Sequence, residues 1–357
     1  MDTLGTFFKV TLFGESHGPV VGAVIDGVLP GLPIAAEDFT EIIARRRTGG
    51  GRRGVSEREE DDIPEILSGV YDGCTTGAPI ALIFRNKGQK SEDYAIFERI
   101  PRPGHADFTA SVKYNYFNDP RGGGHFSGRL TLPLAAAGLI ASKVLDSLCT
   151  PVQSQGTLVQ PQGDSIQPQD GQSCRIRAEV TEIGGEKSRE GMEKAIEESL
   201  ASGDSVGGIV ECRVTGIPAG LGEPFFDSVE SLLSHAVFSI PGIRGIEFGD
   251  GFAAARMNGS QHNDPFTDSF GHTSKNGAGG INGGITNGNE ICFRVAVKPA
   301  SSIRRPQGTF DFVEERMATL EIPGRHDACI ALRVSPVLES VTAMVLADLM
   351  MCRKCRG

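Results

Sequence analysis

Two stretches of this chain spell the same pattern, and that repetition constrains the fold more than any other feature of the sequence. Val21-Gly22-Ala23-Val24 runs through Val28 to Pro30-Gly31-Leu32 and a helical pattern starting near Glu37. Val206-Gly207-Gly208-Ile209-Val210 runs through Val214 to Pro218-Ala219-Gly220-Leu221 and a helical pattern starting near Asp227. Each reads as strand, glycine turn, helix. Two explanations stand at this point: a diverged two-fold repeat with halves at roughly 5–150 and 190–350, or a recurrence of common turn residues. Further strand-like runs cover 7–13, 20–28, 80–84, 175–180, 209–214, 291–297 and 330–334; helical patterns cover 37–47, 132–148, 186–202, 227–238 and 338–351. Pro133 suits a first helical turn and Asp227 an N-cap. The strands do not alternate strictly with helices, which disfavours a doubly wound parallel sheet.

The 357 residues suffice for one large domain or two ordinary ones. No apolar run reaches the ~18 residues of a membrane span. The first residues carry no basic stretch followed by an apolar one, so no export signal is expected, and the eight scattered cysteines read as reduced cytosolic thiols. A net charge of −10 argues against general nucleic-acid binding and requires that any anionic substrate meet a local basic pocket. Arg45-Arg46-Arg47, Arg52-Arg53 and Arg304-Arg305 are the candidates. The 47 glycines imply many tight turns and places of close backbone approach to a ligand; the longest polar, glycine-rich stretches are 45–60 and 270–289.

Several clusters offer chemistry. Gly14-Glu15-Ser16-His17-Gly18 matches the G-x-S-x-G of a hydrolase nucleophile elbow, but a strand pattern follows where that motif needs a helix. His17 is then an acid/base group on an inter-strand loop or a structural turn residue, and the sequence alone weighs these equally. Arg102-Pro103-Gly104-His105-Ala106-Asp107 sets a second turn histidine between a cation and a carboxylate. Arg121-Gly122-Gly123-Gly124-His125-Phe126-Ser127-Gly128-Arg129 precedes an apolar helix, where glycine amides offer an anion site or merely a flexible entry. Gly277-Ala278-Gly279 with Gly283 superficially resembles a dinucleotide fingerprint, yet a strand follows it. Gly324-Arg325-His326-Asp327 clusters a cation, an imidazole and a carboxylate ahead of the strand-like 330–334. The lone Cys352-Arg353-Lys354-Cys355 supplies too few ligands for structural zinc. These residues describe an enzyme that binds a polyanion through arginines and has histidines for proton transfer; they do not identify the reaction.

Taken in order, the motifs resemble one family. Phe13 to Gly18 with Asp26-Gly27-Val28, the arginines and glycines between Asp38 and Gly51, Arg102 to Asp107, Asp119-Pro120 through Arg129, Pro218 to Pro224, Gly249-Asp250-Gly251-Phe252, Asn276 to Gly284, Lys298-Pro299-Ala300-Ser301-Ser302 and Gly324 to Asp327 are together similar to chorismate synthases. The resemblance implies an α+β fold, a β-α-β sandwich of antiparallel sheets flanking central helices with pseudo-two-fold internal repeat, as one domain over 1–357 and as a cytoplasmic homotetramer. It implies a carbon–oxygen lyase of aromatic amino acid biosynthesis, which eliminates phosphate from 5-enolpyruvylshikimate 3-phosphate with reduced FMN and no net redox change. By the same resemblance His17 protonates the departing phosphate, His105 protonates the reduced flavin near N1, and Asp327 assists deprotonation through flavin N5. Arg46, Arg52, Arg102, Ser127, Arg129 and Arg325 hold the substrate, whose charged groups suit charge-assisted, often bidentate contacts. Arg46 and Arg52 are also the positions linked to NADPH in flavin-reducing members. FMN lies against His125, Phe126, Ser127, Pro241, Gly242, Gly279, Lys298, Pro299, Ala300, Ser301, Ser302 and Arg325. The chain departs from the family's Arg-Ser-Ser-Ala-Arg at His125-Phe126-Ser127-Gly128-Arg129. It lacks the inserted segments of members that reduce their own flavin, so an external source of reduced FMN is expected. No metal, nucleic-acid partner or membrane is implied.

Overall fold

Strict alternation builds the first sheet. In β3 (Val20–Asp26) the side chains of Val21, Ala23 and Ile25 are fully buried, and in β7 (Ile80–Arg85) so are Ile80, Leu82 and Phe84. With β1 (Thr3–Leu4), β2 (Lys9–Gly14) and β4 (Glu65–Ile66) these strands form a five-stranded sheet in the order β1-β2-β3-β7-β4, antiparallel throughout. A second antiparallel sheet has the order β10-β13-β9-β8, from β8 (Arg175–Ile183), β9 (Gly208–Thr215), β10 (Ile243–Phe248) and β13 (Ile291–Val297). Three short hairpins pair β5 (Val70–Tyr71) with β6 (Cys74–Thr75), β11 (Ile281–Asn282) with β12 (Ile285–Thr286), and β14 (Gln307–Asp311) with β15 (Arg316–Leu320). The helices are α1 (Thr40–Arg47), α2 (Ile96–Arg99), α3 (Asp107–Lys113), α4 (Thr131–Cys149), α5 (Arg189–Ser202), α6 (Val229–Val237), α7 (Gly259–His262) and α8 (Ala331–Arg356). This computed structural model describes residues 2–47, 62–87, 94–149, 173–322 and 326–356.

The helices α4 and α8 lie between the sheets. α4 packs on β2, β3 and β7, α8 packs on β8 and β9, and the two helices pack on each other. The architecture is the β-α-β sandwich of antiparallel sheets around central helices. The helix crossing is close because Gly138 carries no side chain: a Cβ there would stand 2.1 Å from the Cβ of Ser340. Ser340 turns its hydroxyl into its own helix and donates to the carbonyl of Pro336 at 2.7 Å. Both helices are long and apolar enough to cross a bilayer, yet 67% and 78% of their most apolar windows are buried inside the molecule. Here the apolar length serves the interior of the sandwich.

The repeated sequence pattern is a repeated structure. The element order β2-β3-α1-β4-hairpin-β7-α4 recurs as β8-β9-α6-β10-hairpin-β13-α8, with α2 and α3 added in the first half and α5, α7 and the β14–β15 hairpin in the second. The turn after each inner strand is tied down by a buried threonine. Thr75 Oγ1 donates to Leu29 O (2.6 Å) and accepts from Leu32 N (2.9 Å), while Gly31 N reaches Thr75 O (2.7 Å). Thr286 Oγ1 donates to Pro218 O (2.7 Å) and accepts from Leu221 N (2.9 Å), while Gly220 N reaches Thr286 O (2.8 Å). Gly31 and Gly220 both hold the left-handed backbone, at φ +83° and +92°.

Two local expectations are corrected. Of residues 330–334, strand-like for their β-branched Ile330 and Val334, Ala331 to Val334 open α8 and Ile330 stands in the turn just before it. Burial against α4 and the second sheet overrides local propensity there, and α8 accommodates Pro336 within its length. The N-cap of α6 is Ser228 rather than Asp227: its hydroxyl accepts from Ser231 N, while Asp227 closes a preceding 3-10 turn.

Candidate active site

The N-terminal ends of α4 and α8 open on one cavity of about 1170 Å³, to which both halves of the repeat contribute. The first half supplies the turn between β2 and β3 (Ser16, His17), the end of α1 (Arg46, Arg47), Asp62, the turn before α3 (Arg102, Gly104, His105) and the entry to α4 (Gly122, His125 to Thr131). The second half supplies Ser239 to Arg244, Lys298, Ala300 to Ser302, and His326, Asp327, Ile330 and Arg333 at the start of α8. Helix N-termini carry partial positive charge, so both suit an anionic ligand.

The three glycines ahead of α4 separate the two histidines. Gly122, Gly123 and Gly124 hold φ of 62°, 81° and 53°. A Cβ on Gly122 would stand 2.4 Å from His17 Cδ2, and one on Gly123 3.3 Å from His105 Cε1. Both imidazoles thus lie directly against bare backbone. Gly124 O accepts from Ser16 N at 3.1 Å, which fixes the His17 turn to this segment. The ring of Tyr94 meets His17 edge-on at 5.1 Å. Ser16 has no helix after it; β3 follows, so the nucleophile-elbow geometry is absent.

His105 is oriented by its neighbours in sequence. Asp107 takes a bidentate grip on Arg102, with Nε and Nη2 each at 2.7 Å, and accepts from His105 Nδ1 at 2.6 Å. The shorter contact, to the carboxylate, calls for a proton on Nδ1, which Arg102 Nη2 also approaches at 3.0 Å, and leaves Nε2 as the exchanging nitrogen. Burial alone would raise the Asp107 carboxyl, but the bonds from Arg102 and His105 outweigh it and hold it far below the usual carboxylate range. Arg102 also lies over the Phe97 ring at 4.5 Å and donates to Ser302 Oγ at 3.1 Å. Lys298 Nζ and Ser301 Oγ both donate to Gly104 O, so the loop after β13 clamps the His105 turn. Burial, and then the neighbouring Arg244, lower the pKa of Lys298.

The arginines sort themselves. Arg46, Arg102 and Arg129 are 7%, 7% and 9% exposed, which few guanidinia are without paired charge. Arg46 donates to Thr131 Oγ1 (3.0 Å) and Gly128 O (2.9 Å). Asp62, buried at the cavity wall, bonds Arg129 Nη1 at 2.5 Å and lies 3.7 Å from Arg46 and 3.8 Å from Arg47. Arg45 turns away to a bidentate pair with Glu339 on α8, both contacts at 2.7 Å. Arg304 and Arg305 bond Gly203 O through their backbone N–H groups, and the Arg305 guanidinium reaches Asp204 at 3.4 Å, outside the cavity. Arg52 and Arg325 lie outside the described residues.

The expected flavin contacts divide as well. Ser127, Pro241, Gly242, Lys298, Ala300, Ser301 and Ser302 line the cavity. Pro299 does not; it backs onto Gly207. His125 lines the cavity with both ring nitrogens facing oxygen acceptors, Nδ1 at 2.8 Å from Gly14 O and Nε2 at 3.2 Å from Asp2 Oδ1. Phe126 also lines the cavity and packs near the Tyr114 ring. Gly279 lies against Gly249 and Cys292 O, past the end of β10 remote from the cavity. Asp327 lines the cavity and pairs with Arg333 at 3.3 Å.

Sequence reasoning did not single out Asp62, Asn86, His235, Arg244 or Arg333. Arg333, on the first turn of α8, became visible only when that stretch proved helical. Asp62 sat in a charged run that gave no sign of which carboxylate turns inward.

The chorismate synthase family model matches residues 8–351. A chorismate synthase of Chitinophaga pinensis is 50% identical over 351 residues, covering 98% of this chain and 97% of the relative. One of Korarchaeum cryptofilum is 45% identical over 359 residues, covering 100% and 99%. Among solved structures, a crystal structure of a chorismate synthase superposes with a TM-score of 0.70 at 26% identity, covering 98% of this chain and 93% of that one. With its sandwich, its paired histidines and its ordered motifs matched over nearly the whole length, the chain belongs to the chorismate synthase family.

Proposed function

We propose that the protein is a lyase that eliminates phosphate, with anti-1,4 geometry, from 5-enolpyruvylshikimate 3-phosphate to give chorismate. The observation that carries this reading is the meeting of two glycine-backed histidines with the buried guanidinia of Arg46, Arg102 and Arg129 in one cavity. A substrate with two carboxylates and a phosphate calls for such a donor set. Reduced FMN fits the same space. The cavity exceeds the roughly 300–1,000 Å³ that holds one drug-sized ligand, and it joins cationic donors to an apolar wall of Ile240, Ile243, Ile330 and Val334. Gly242 keeps that wall open, since a Cβ there would come within 2.7 Å of Ile330.

When bound, reduced FMN supplies reversible electron donation without net redox change. His17, held against Gly122, gives its proton to the departing phosphate. Arg46 and Arg129 hold the anion as charge develops on it. His105, its Nδ1–H fixed on Asp107, presents Nε2 for proton exchange. Asp327 supplies a carboxylate at the start of α8 for the ring proton. Ser127, Lys298, Ala300, Ser301, Ser302, Pro241 and Gly242 would hold the cofactor. We read the chain as a single domain that works as a cytoplasmic homotetramer and draws reduced FMN from an external reductase.

The test is an anaerobic assay with 5-enolpyruvylshikimate 3-phosphate and reduced FMN, following chorismate absorbance. Product should form only with the reduced flavin, and its absence overturns the reading. Air, NADPH and oxidised FMN alone should give no useful turnover.

A further inference from the structure

We propose that Asn86 is a positioning residue that fixes the distance between the acid/base histidine and the anion-binding arginine. The proposal rests on the roles given above to His17 and Arg129. Asn86 directly follows the last residue of β7, and its backbone N–H donates to Pro19 O at 3.1 Å, extending the β3–β7 ladder past Val20 and Arg85. Its side chain then makes three contacts in different directions. Nδ2 donates to Glu15 O at 3.0 Å and to Gly18 O at 2.9 Å, the two carbonyls that bracket Ser16 and His17. Oδ1 accepts from Arg129 Nε at 3.0 Å. Arg129 is gripped at its other end by Asp62, at 2.5 Å.

The chemistry of these partners admits one arrangement. A guanidinium only donates and a carbonyl only accepts, so the amide needs its oxygen toward Arg129 and both amino hydrogens toward the turn. A flipped amide would set donor against donor and acceptor against acceptor. An aspartate, of nearly the same shape, would turn a carboxylate oxygen on two carbonyl oxygens. A glutamine would carry the amide one methylene too far. One side chain thereby sets the register between two groups that must act on the same phosphate. His105 is oriented independently, by Asp107 and Arg102.

The experiment compares wild type with Asn86→Asp and Asn86→Ala on the full-length protein. Selective ¹⁵N-histidine labelling reads the His17 ring, assigned with His17→Gln, among the seven histidines. Anaerobic kinetics read kcat and KM. Both variants should fold, shift the His17 ring resonances while leaving those of His105 in place, and lower kcat by about 10²-fold, the cost of a misplacement near 1 Å. Unmoved His17 resonances with kcat within about threefold of wild type would overturn the assignment. So would equal displacement of His17 and His105, or unfolding of both variants, since either makes Asn86 a residue of the fold rather than of the site. The spectra decide without turnover: if wild type itself makes no chorismate, the functional reading falls, while a selective His17 shift still upholds the Asn86 contact.

Discussion

Gly122 lies so close to His17 that a single methyl group on its α-carbon would stand 2.4 Å from the imidazole Cδ2 and 2.5 Å from Nε2. The backbone there is left-handed, φ +62°, so alanine is disfavoured twice. Gly122→Ala is expected to keep the fold, displace His17 and reduce turnover into the range of a lost general acid, about 10²–10⁴-fold. Anaerobic kinetics beside His17→Ala check this. Near-wild-type kcat in Gly122→Ala would mean that the His17 ring tolerates movement and does not deliver the proton from this position.

Asp107 gives the protein a pH-dependent stability of known sign. Its carboxyl is held below the ordinary value in the native state, so the unfolded chain takes up the proton first as pH falls. The stabilisation is fully present above about pH 4 and is lost progressively below it. Thermal melting of wild type should therefore fall more steeply than that of Asp107→Asn between about pH 4 and pH 2. Parallel curves would show that the triad with Arg102 and His105 contributes nothing to native-state charge stabilisation. Asp107→Asn should also slow turnover at neutral pH, because the carboxylate no longer holds Nδ1–H.

The two turn threonines allow the repeat to be tested as energetics. Thr75 and Thr286 are buried, and each accepts one backbone N–H and donates to one carbonyl. Valine in either place orphans both groups at a cost of about 1–3 kcal/mol. Denaturant midpoints should fall by similar amounts in Thr75→Val and Thr286→Val. A large loss in one and none in the other would show that the equivalent bonds do not carry equivalent weight.

Asp327→Asn is expected to lower turnover strongly while substrate and FMN still bind. Asparagine keeps the shape beside Arg333 but cannot take a proton. A loss confined to kcat would mark an interaction made in the transition state. Binding titrations beside single-turnover measurements check it. If affinity fell in proportion to rate, the Asp327–Arg333 pair would instead be an anchor of the site.

The parts of this structure that were legible in the sequence are those whose partners lie nearby in the chain. The strand-like runs at 20–28 and 80–84 announced two core strands, and Arg102, His105 and Asp107 could be grouped because they span one turn. Both histidines stood out for their glycine-rich surroundings. What stayed hidden depends on distant contacts. Asn86 reaches residues 71 and 68 positions away, and Asp62 bonds an arginine 67 positions on. No local period or motif encodes such pairs. The strand reading of 330–334 failed for a related reason, since Ile330 and Val334 carry strand propensity while the interior they enter belongs to α4. Gly279 illustrates a third case: its motif was visible, but its packing against Gly249 beyond the far end of β10 was not.

Because α4 and α8 begin at the same cavity, whatever binds there touches both copies of the repeat at once and behaves as a non-covalent crosslink between them. Separately expressed halves would each lack one wall of the site. In the intact chain, ligand affinity is drawn into the cooperativity of folding itself, so saturating anion should delay the parting of the two halves more than it delays fraying within either.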